Sequence, residues 1–408
     1  MNFSVCCSRR LACTFLSAQI IHATPALQAG QRSAEVPNRV PGVIIDHSAA
    51  FSGIFIGSPS LAVLSNGDLI ASHDEFGPLS SEARSGITHV FGSTDAGSTW
   101  RKVSTVRGQY WSTLFVHRGA LYLLGTDRHL GNVVIRRSSD GGLSWTSPMT
   151  SAVGLLSSTA GYHCAPVPVL EYGGRLWRAF ERRDTQQGSG GSLCAGMLSA
   201  PAESDLLNAT NWTATNFLPG KTNWLSGTFG GWLEGNAVVT GDGELLDILR
   251  VDTSGLPEKA ALVHVTANVG VFSFDPSTGF IDFPGGAKKF TIRYDSVSQR
   301  FWSVASIVAE PSQASKPPSS IRNTLALTCS SDLTKWAVCC VLLGHPDADK
   351  HGFQYVDWLF QGEDIIAVCR TAYDDEGSGA HSYHDANFLT FHRWRNFRKL
   401  TSNRTGGI

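Results

Sequence analysis

The chain has 408 residues and a formal net charge of −1, from 33 basic and 34 acidic residues, so no long-range field draws it to nucleic acid or an anionic membrane. Hydrophobic residues make up 42%, ample for a core; 16% charge with 42 Gly and 11 Trp suits a turn-rich, aromatic-rich all-β protein. Any acidic ligand must therefore be recognised by cations gathered locally.

Residues 1–29 read as a secretory signal peptide. Arg9 and Arg10 precede an apolar stretch from Leu11 to Ile21, and small residues follow at Ala23, Ala26 and Ala29. This predicts a secreted, extracellular protein whose single folded domain spans residues 33–402. No later segment approaches the roughly 18–20 apolar residues needed to span a bilayer. Cys6, Cys7 and Cys13 would leave with the leader. Cys164, Cys194, Cys329, Cys339, Cys340 and Cys369 remain, an even set compatible with disulfides in any pairing. No cysteine pair has metal-site spacing with histidine and no calcium-loop spacing occurs, so neither metal nor cofactor is expected.

Alternating apolar runs then fall into six units, each reading as four short strands. The runs are 60–64, 69–73, 88–91 and 99–103 in the first unit; 111–115, 120–124, 133–136 and Trp145 in the second. The third unit has 165–169, 175–180, 194–198 and 211–213; the fourth has 236–239, 245–249, 261–265 and 280–283. The fifth has 289–293, 300–304, 324–327 and 336–338; the sixth has 355–359, 364–368, 387–391 and a poor fourth strand near Lys399 and Leu400. Tight turns containing Gly67, Gly119, Gly173, Gly243 and Gly362 join the first two strands of most units.

One turn recurs. Ser93 to Trp100 reads STDAGSTW and Ser138 to Trp145 reads SSDGGLSW, with Asp95 and Asp140 45 residues apart. A frayed copy runs from Ser331 to Trp336. The aspartate accepts backbone N–H groups within the turn, the glycine supplies a conformation other residues resist, and the tryptophan caps the hairpin. Four-stranded repeats at this period mean a β-propeller. Six blades of four antiparallel strands are expected; residues 33–56 with the C-terminal segment could complete a seventh.

Propeller geometry sends these turns to one end of the central channel and gathers first-strand starts and second-strand ends at the other. At that other end His73, Tyr110, Trp111, His163, Glu234, Asn236, Arg250, Lys289, His351, Gln354, Tyr355 and Arg370 recur at one structural phase. Aromatic rings stack on sugar faces, carboxylates and amides take hydroxyls, and Arg250, Lys288, Lys289 and Arg370 suit a carboxylate. A histidine titrates near neutrality, as proton transfer requires. Two chemistries fit: β-elimination on a uronic acid, and hydrolysis of a sialoside in which a tyrosine attacks.

The repeated turn is the Asp-box pattern, and the chain resembles the sialidase/neuraminidase superfamily of propellers over about residues 40–400. Fold does not carry chemistry with it. The sialidase first-strand signature, an arginine before Ile/Leu-Pro, is replaced by an arginine-free stretch from Ile56 to Leu61. The segments 57–60, 71–74, 108–112, 232–236 and 351–358 are similar to the rhamnose-glucuronate lyases of polysaccharide lyase family 27. That resemblance implies release of terminal L-rhamnose from D-glucuronate by β-elimination. In this reading His73, supported by His163 and Tyr110, moves the proton, and Arg250 and Lys289 neutralise the uronate. Trp111, Glu234, Asn236, His351, Gln354, Tyr355 and Arg370 then grip the sugars. An exo-α-sialidase-like hydrolase and a non-catalytic glycan-binding propeller are the alternatives. The expected partner is a uronate- or sialate-bearing glycan taken by a monomer, with no nucleic acid and no membrane.

Overall fold

The computed structural model describes residues 39–183, 193–266, 270–309 and 316–400. The leader lies outside the described residues, as do the two ends of the 33–402 domain. Six antiparallel sheets follow one another along the chain as the blades of a propeller. Blade 1 uses Ser60–Val63, Leu69–Phe76, Ile87–Ser93 and Arg101–Arg107, with Phe55–Ile56 pairing at the far end of the second strand. Blade 2 uses Tyr110–His117, Ala120–Thr126 and Val133–Ser138; its fourth position is a single bridge from Val134 to Leu155, not a strand at Trp145. Blade 3 is built on Arg175–Arg183 and Leu193–Pro201, and its outer strand is split into Thr213–Ala214 and Leu218–Pro219.

Blade 4 starts with Phe229–Val239 and Leu245–Thr253, and blade 5 orders Phe290–Asp295, Arg300–Ser306, Thr324–Ser330 and Ala337–Gly344. Blade 6 comprises Gly352–Gln361, Asp364–Ala372 and Phe388–Trp394, and its fourth strand is Val43–His47 from the start of the domain. The expected strand near Lys399 and Leu400 is instead a 3-10 turn, Phe397–Lys399. The N-terminal segment thus closes the ring at six blades, and no seventh forms from it.

Each pair of neighbouring blades shares an apolar cluster, because sheets with one strand face turned to each neighbour must bury both faces. Leu61, Phe91, Ile366 and Leu389 fill the seam between blades 6 and 1, and Val304, Leu327, Trp358 and Ile365 that between 5 and 6. A belt of polar bonds runs around the axis across these seams. Ser60 Oγ donates to Asp357 Oδ2 at 2.8 Å and accepts from Leu114 N at 2.9 Å. Thr113 Oγ1 donates to Val167 O at 3.0 Å, and Thr291 Oγ1 to Val356 O at 2.9 Å.

In the first recurrent turn, Asp95 Oδ1 accepts Thr99 N at 2.9 Å and Gly97 N donates to Ser93 Oγ at 2.9 Å. The second repeats this with Asp140, Ser144, Gly142 and Ser138. The third begins one residue earlier than the sequence pattern indicates: Ser330 Oγ accepts Leu333 N at 2.9 Å, so the turn is one residue shorter and Leu333 stands where the others have glycine. Its φ is +66°, beside +91° at Gly97 and +92° at Gly142.

Candidate functional site

The first strands of blades 2, 4 and 6 share an irregularity. Their register shifts between Tyr110 and Thr113, between Leu233 and Asn236, and between Gln354 and Asp357. At each bulge a non-glycine residue sits at positive φ: Trp111 at +46°, Glu234 at +60° and Tyr355 at +55°. A left-handed side chain costs on the order of 1–3 kcal/mol and bulges re-aim the residue they carry, so three such sites at one phase mark a place where side-chain direction is worth strain. Trp111 and Tyr355 are the half-exposed members, with nearly everything around them buried.

Three guanidinium groups surround Tyr355. Arg322 lies with its Cζ 5.5 Å from the ring centroid and Arg370 with its Cζ at 5.0 Å. Arg250, the third, is electrostatically coupled to the same phenol. Among the described residues only Arg250 of the three is ion-paired to a carboxylate, Glu234, with Nη1 to Oε2 at 2.9 Å. Arg322 is fixed by Gln354 Oε1 at 2.5 Å and Ser319 O at 2.9 Å. Arg370 donates to His384 O, and its buried Nε has no partner among the described residues. Burial pulls the Arg370 guanidinium down to about 10, with Tyr355 opposing. Burial also works against the charge on Arg250, but Glu234 and then Tyr355 raise it above its ordinary value. Burial opposes ionisation of Glu234 too, yet Arg250 and then His163 hold its carboxyl below the usual range.

The opposite wall comes from blades 1 to 3. Asp74 accepts Trp111 N at 2.8 Å and Thr88 Oγ1 at 2.5 Å; burial pushes its carboxyl up to about 8 against both bonds. Tyr110 donates to Glu82 and stacks on Trp111 at 4.7 Å between centroids. Trp111 meets the His163 ring edge-on at 4.7 Å, and His163 Nδ1 is 2.8 Å from Glu181 Oε2. The indole Nε1 of Trp111 is buried without a partner among the described residues. Neutral acid, aromatic faces and a carboxylate-held imidazole thus face a guanidinium cluster across the mouth of the channel.

Of the residues expected from sequence, the fold brings together Tyr110, Trp111, His163, Glu234, Arg250, Tyr355 and Arg370. Gln354 contributes indirectly, by holding Arg322. His73 lies on the other face of its strand: alternation along Leu69–Phe76 turns Asp74 to Trp111 of blade 2 and His73 to Asp46 of blade 6. There His73 Nε2 meets Asp46 Oδ2 at 2.8 Å and its ring stacks on Phe91 at 5.6 Å. Asn236 is fully buried and bridges blades 4 and 5, accepting Ile292 N at 3.0 Å and donating to Phe290 O at 3.2 Å.

Lys289 lies in the polar belt, bonded to Thr291 Oγ1 and Val356 O at 2.7 Å each, and burial brings it down to about 8. Lys288 is paired to Glu258. His351 stacks on His345 at 3.4 Å, with Asp347 Oδ2 3.1 Å from its Nδ1. Sequence reading missed Arg322, which precedes strand Thr324–Ser330 in a loop without a motif. It missed Glu82 as well, while Asp74 and Glu181 stand at second-strand ends, polar positions without a motif.

No protein-family model matches the chain, and no curated protein matches it in sequence. Solved structures do resemble it. An α-L-arabinanase of Penicillium chrysogenum superposes with a TM-score of 0.54 at 14% identity, covering 89% of this chain and 100% of that one. A Hadza microbial sialidase gives 0.57 at 13% identity, covering 88% and 69% respectively. An α-L-arabinofuranosidase of Fusarium graminearum gives 0.54 at 10% identity, covering 88% and 98%. At these identities the likeness establishes the fold: a sialidase-like, six-bladed β-propeller.

Proposed function

We propose that this chain is a carbohydrate-active enzyme that cleaves a glycan at a sugar bearing a carboxylate. The observation that carries this is the charge balance around Tyr355: Arg250, Arg322 and Arg370 are buried, and among the described residues the one direct ion pair they make is Arg250 with Glu234. Buried unpaired cations are costly, and a planar carboxylate is the ligand that guanidinium forks match best. Similar folds carry an arabinanase, an arabinofuranosidase and a sialidase, which supports a glycan as the body of the substrate.

Hydrolysis through Tyr355 is the route this geometry favours. Glu234, held ionised by Arg250, takes the proton of the phenol as the phenolate oxygen attacks the anomeric carbon, while the arginines hold the sugar carboxylate and stabilise the phenolate. A carboxylic acid that stays protonated to about pH 8, Asp74, stands on the facing wall to protonate the departing oxygen. Water then releases the sugar from the tyrosine. The elimination reading rests on a different observation, the His163–Glu181 pair beside Trp111 and Tyr110. In it the arginines neutralise a uronate, His163 removes H5 and Tyr110 protonates the departing rhamnose oxygen.

Incubation with a gum-type arabinogalactan and with sialyllactose, followed by chromatography and ultraviolet absorbance, tests both. Free sialic acid without new absorbance supports hydrolysis; rhamnose with an absorbing unsaturated uronate supports elimination. Glycan binding without product reduces the protein to a lectin. Neither binding nor product from acidic glycans would overturn the proposal.

A further inference from the structure

Among the described cysteines, Cys329 and Cys339 form a distinct pair. They lie on neighbouring strands of blade 5, Thr324–Ser330 and Ala337–Gly344. Thr328 pairs with Val338 and Leu327 with Cys340, so Cys339 is the extra residue of a bulge. In a regular ladder these two would be diagonal neighbours, about 7–8 Å apart at their backbones. The bulge instead turns Cys339 onto Cys329, and their Sγ atoms are 2.7 Å apart, near the bonded separation of about 2.05 Å. Arg300 Nη1 sits 3.6 Å from Cys329 Sγ, where it stabilises a thiolate. The other buried thiols are engaged differently: Cys164 donates to Trp111 O at 3.2 Å and Cys369 to Gln354 O at 3.8 Å.

We propose that Cys329 and Cys339 become a disulfide when the folded chain meets a disulfide-bearing oxidant such as oxidised glutathione. One thiolate attacks the donor disulfide and expels a donor thiolate. The second thiolate attacks the mixed disulfide, forms the Cys329–Cys339 bond and expels the other donor thiolate. The two thiol protons pass to the two expelled donor thiolates, so the donor, reduced by two electrons, ends as two thiols. The link spans the turn from Ser330 to Trp336, where Leu333 holds a positive φ that glycine holds in the matching turns of blades 1 and 2. It therefore ties down the hairpin whose turn residue suits its conformation least.

The test treats the full chain with oxidised glutathione, alkylates free thiols and maps tryptic peptides without reduction. Lys335 lies between the two cysteines, so the digest separates them. The expected result is a linked pair of peptides, lighter than their sum by two hydrogens, present in wild type and in Cys340→Ser but lost in Cys339→Ser. Thermal midpoint should fall by a few degrees on reduction in wild type and in Cys340→Ser, and stay put in Cys339→Ser. Full alkylation of both residues in oxidised wild type overturns the proposal, as does a link that survives Cys339→Ser. Should that variant not fold, fragmentation of the wild-type linked peptide between Cys339 and Cys340 still decides which sulfur is bonded.

Discussion

Blades 4 to 6 and blades 1 to 3 build opposite walls of one mouth from different chemistry. The first wall is cationic: Arg322 and Arg370 crowd Tyr355, Arg250 adds to their field, and among the described residues only Arg250 is ion-paired, to Glu234. The second is aromatic and rich in carboxyl groups, with Tyr110 on Glu82, Trp111, Asp74 with its carboxyl raised by burial, and His163 clamped by Glu181. Keeping Asp74 apart from the arginines leaves its carboxyl raised and their charge uncancelled by it. It also means that the walls fail in different ways.

The largest effect is expected from the cationic wall. Arg322→Met or Arg370→Met should lower kcat/KM on the acidic substrate by about 10²–10³-fold, the scale for removing one preorganised donor to charge. Steady-state kinetics check this, and near-normal rates would dissolve the distinction between the walls. Tyr355→Phe sharpens it. Hydrolysis should lose at least that much, whereas elimination through His163 should lose less, since the phenol then only binds.

On the aromatic wall, His163→Gln should cost about 10²-fold in elimination, the low end of the range for a lost general base. His73→Gln, buried in blade 1 against Asp46 and Phe91, should leave turnover within tenfold in either chemistry. Equal losses in the two variants would contradict the placement of His73.

The smallest effect concerns stability. The Asp74 carboxyl is raised in the folded state, so its contribution is complete below the ordinary carboxylate range. It declines as pH rises from about 4 towards the folded value of about 8. Asp74→Asn keeps an acceptor for Trp111 N but cannot ionise, and its unfolding midpoint should fall less over that window than the wild-type midpoint. Denaturant titrations at several pH values measure the difference.

Much of this was legible before any coordinates. The serine–aspartate–glycine–tryptophan turns and the glycine hairpins carry their own local geometry, so the blade repeat could be read from composition and spacing. Tyr110, Trp111, His163, Glu234, Arg250, Tyr355 and Arg370 were found because each sits at a fixed distance from such a turn. Arg322 was not, because it stands in a connection with no repeat phase and is held over Tyr355 by its bond to Gln354. The strand that closes blade 6 was also hidden, since Val43–His47 pairs with residues near the other end of the chain.

Sequence by itself determined the blades, their turns and which end of the channel is rich in polar groups, because those depend on interactions a few residues long. Tertiary structure alone decided which of two adjacent residues, His73 or Asp74, faces the mouth. One step along a strand reverses a side chain, and which face is inward is set by the neighbouring blades. It also decided that three arginines from separate blades meet at one phenol, an arrangement that exists only when the ring is closed.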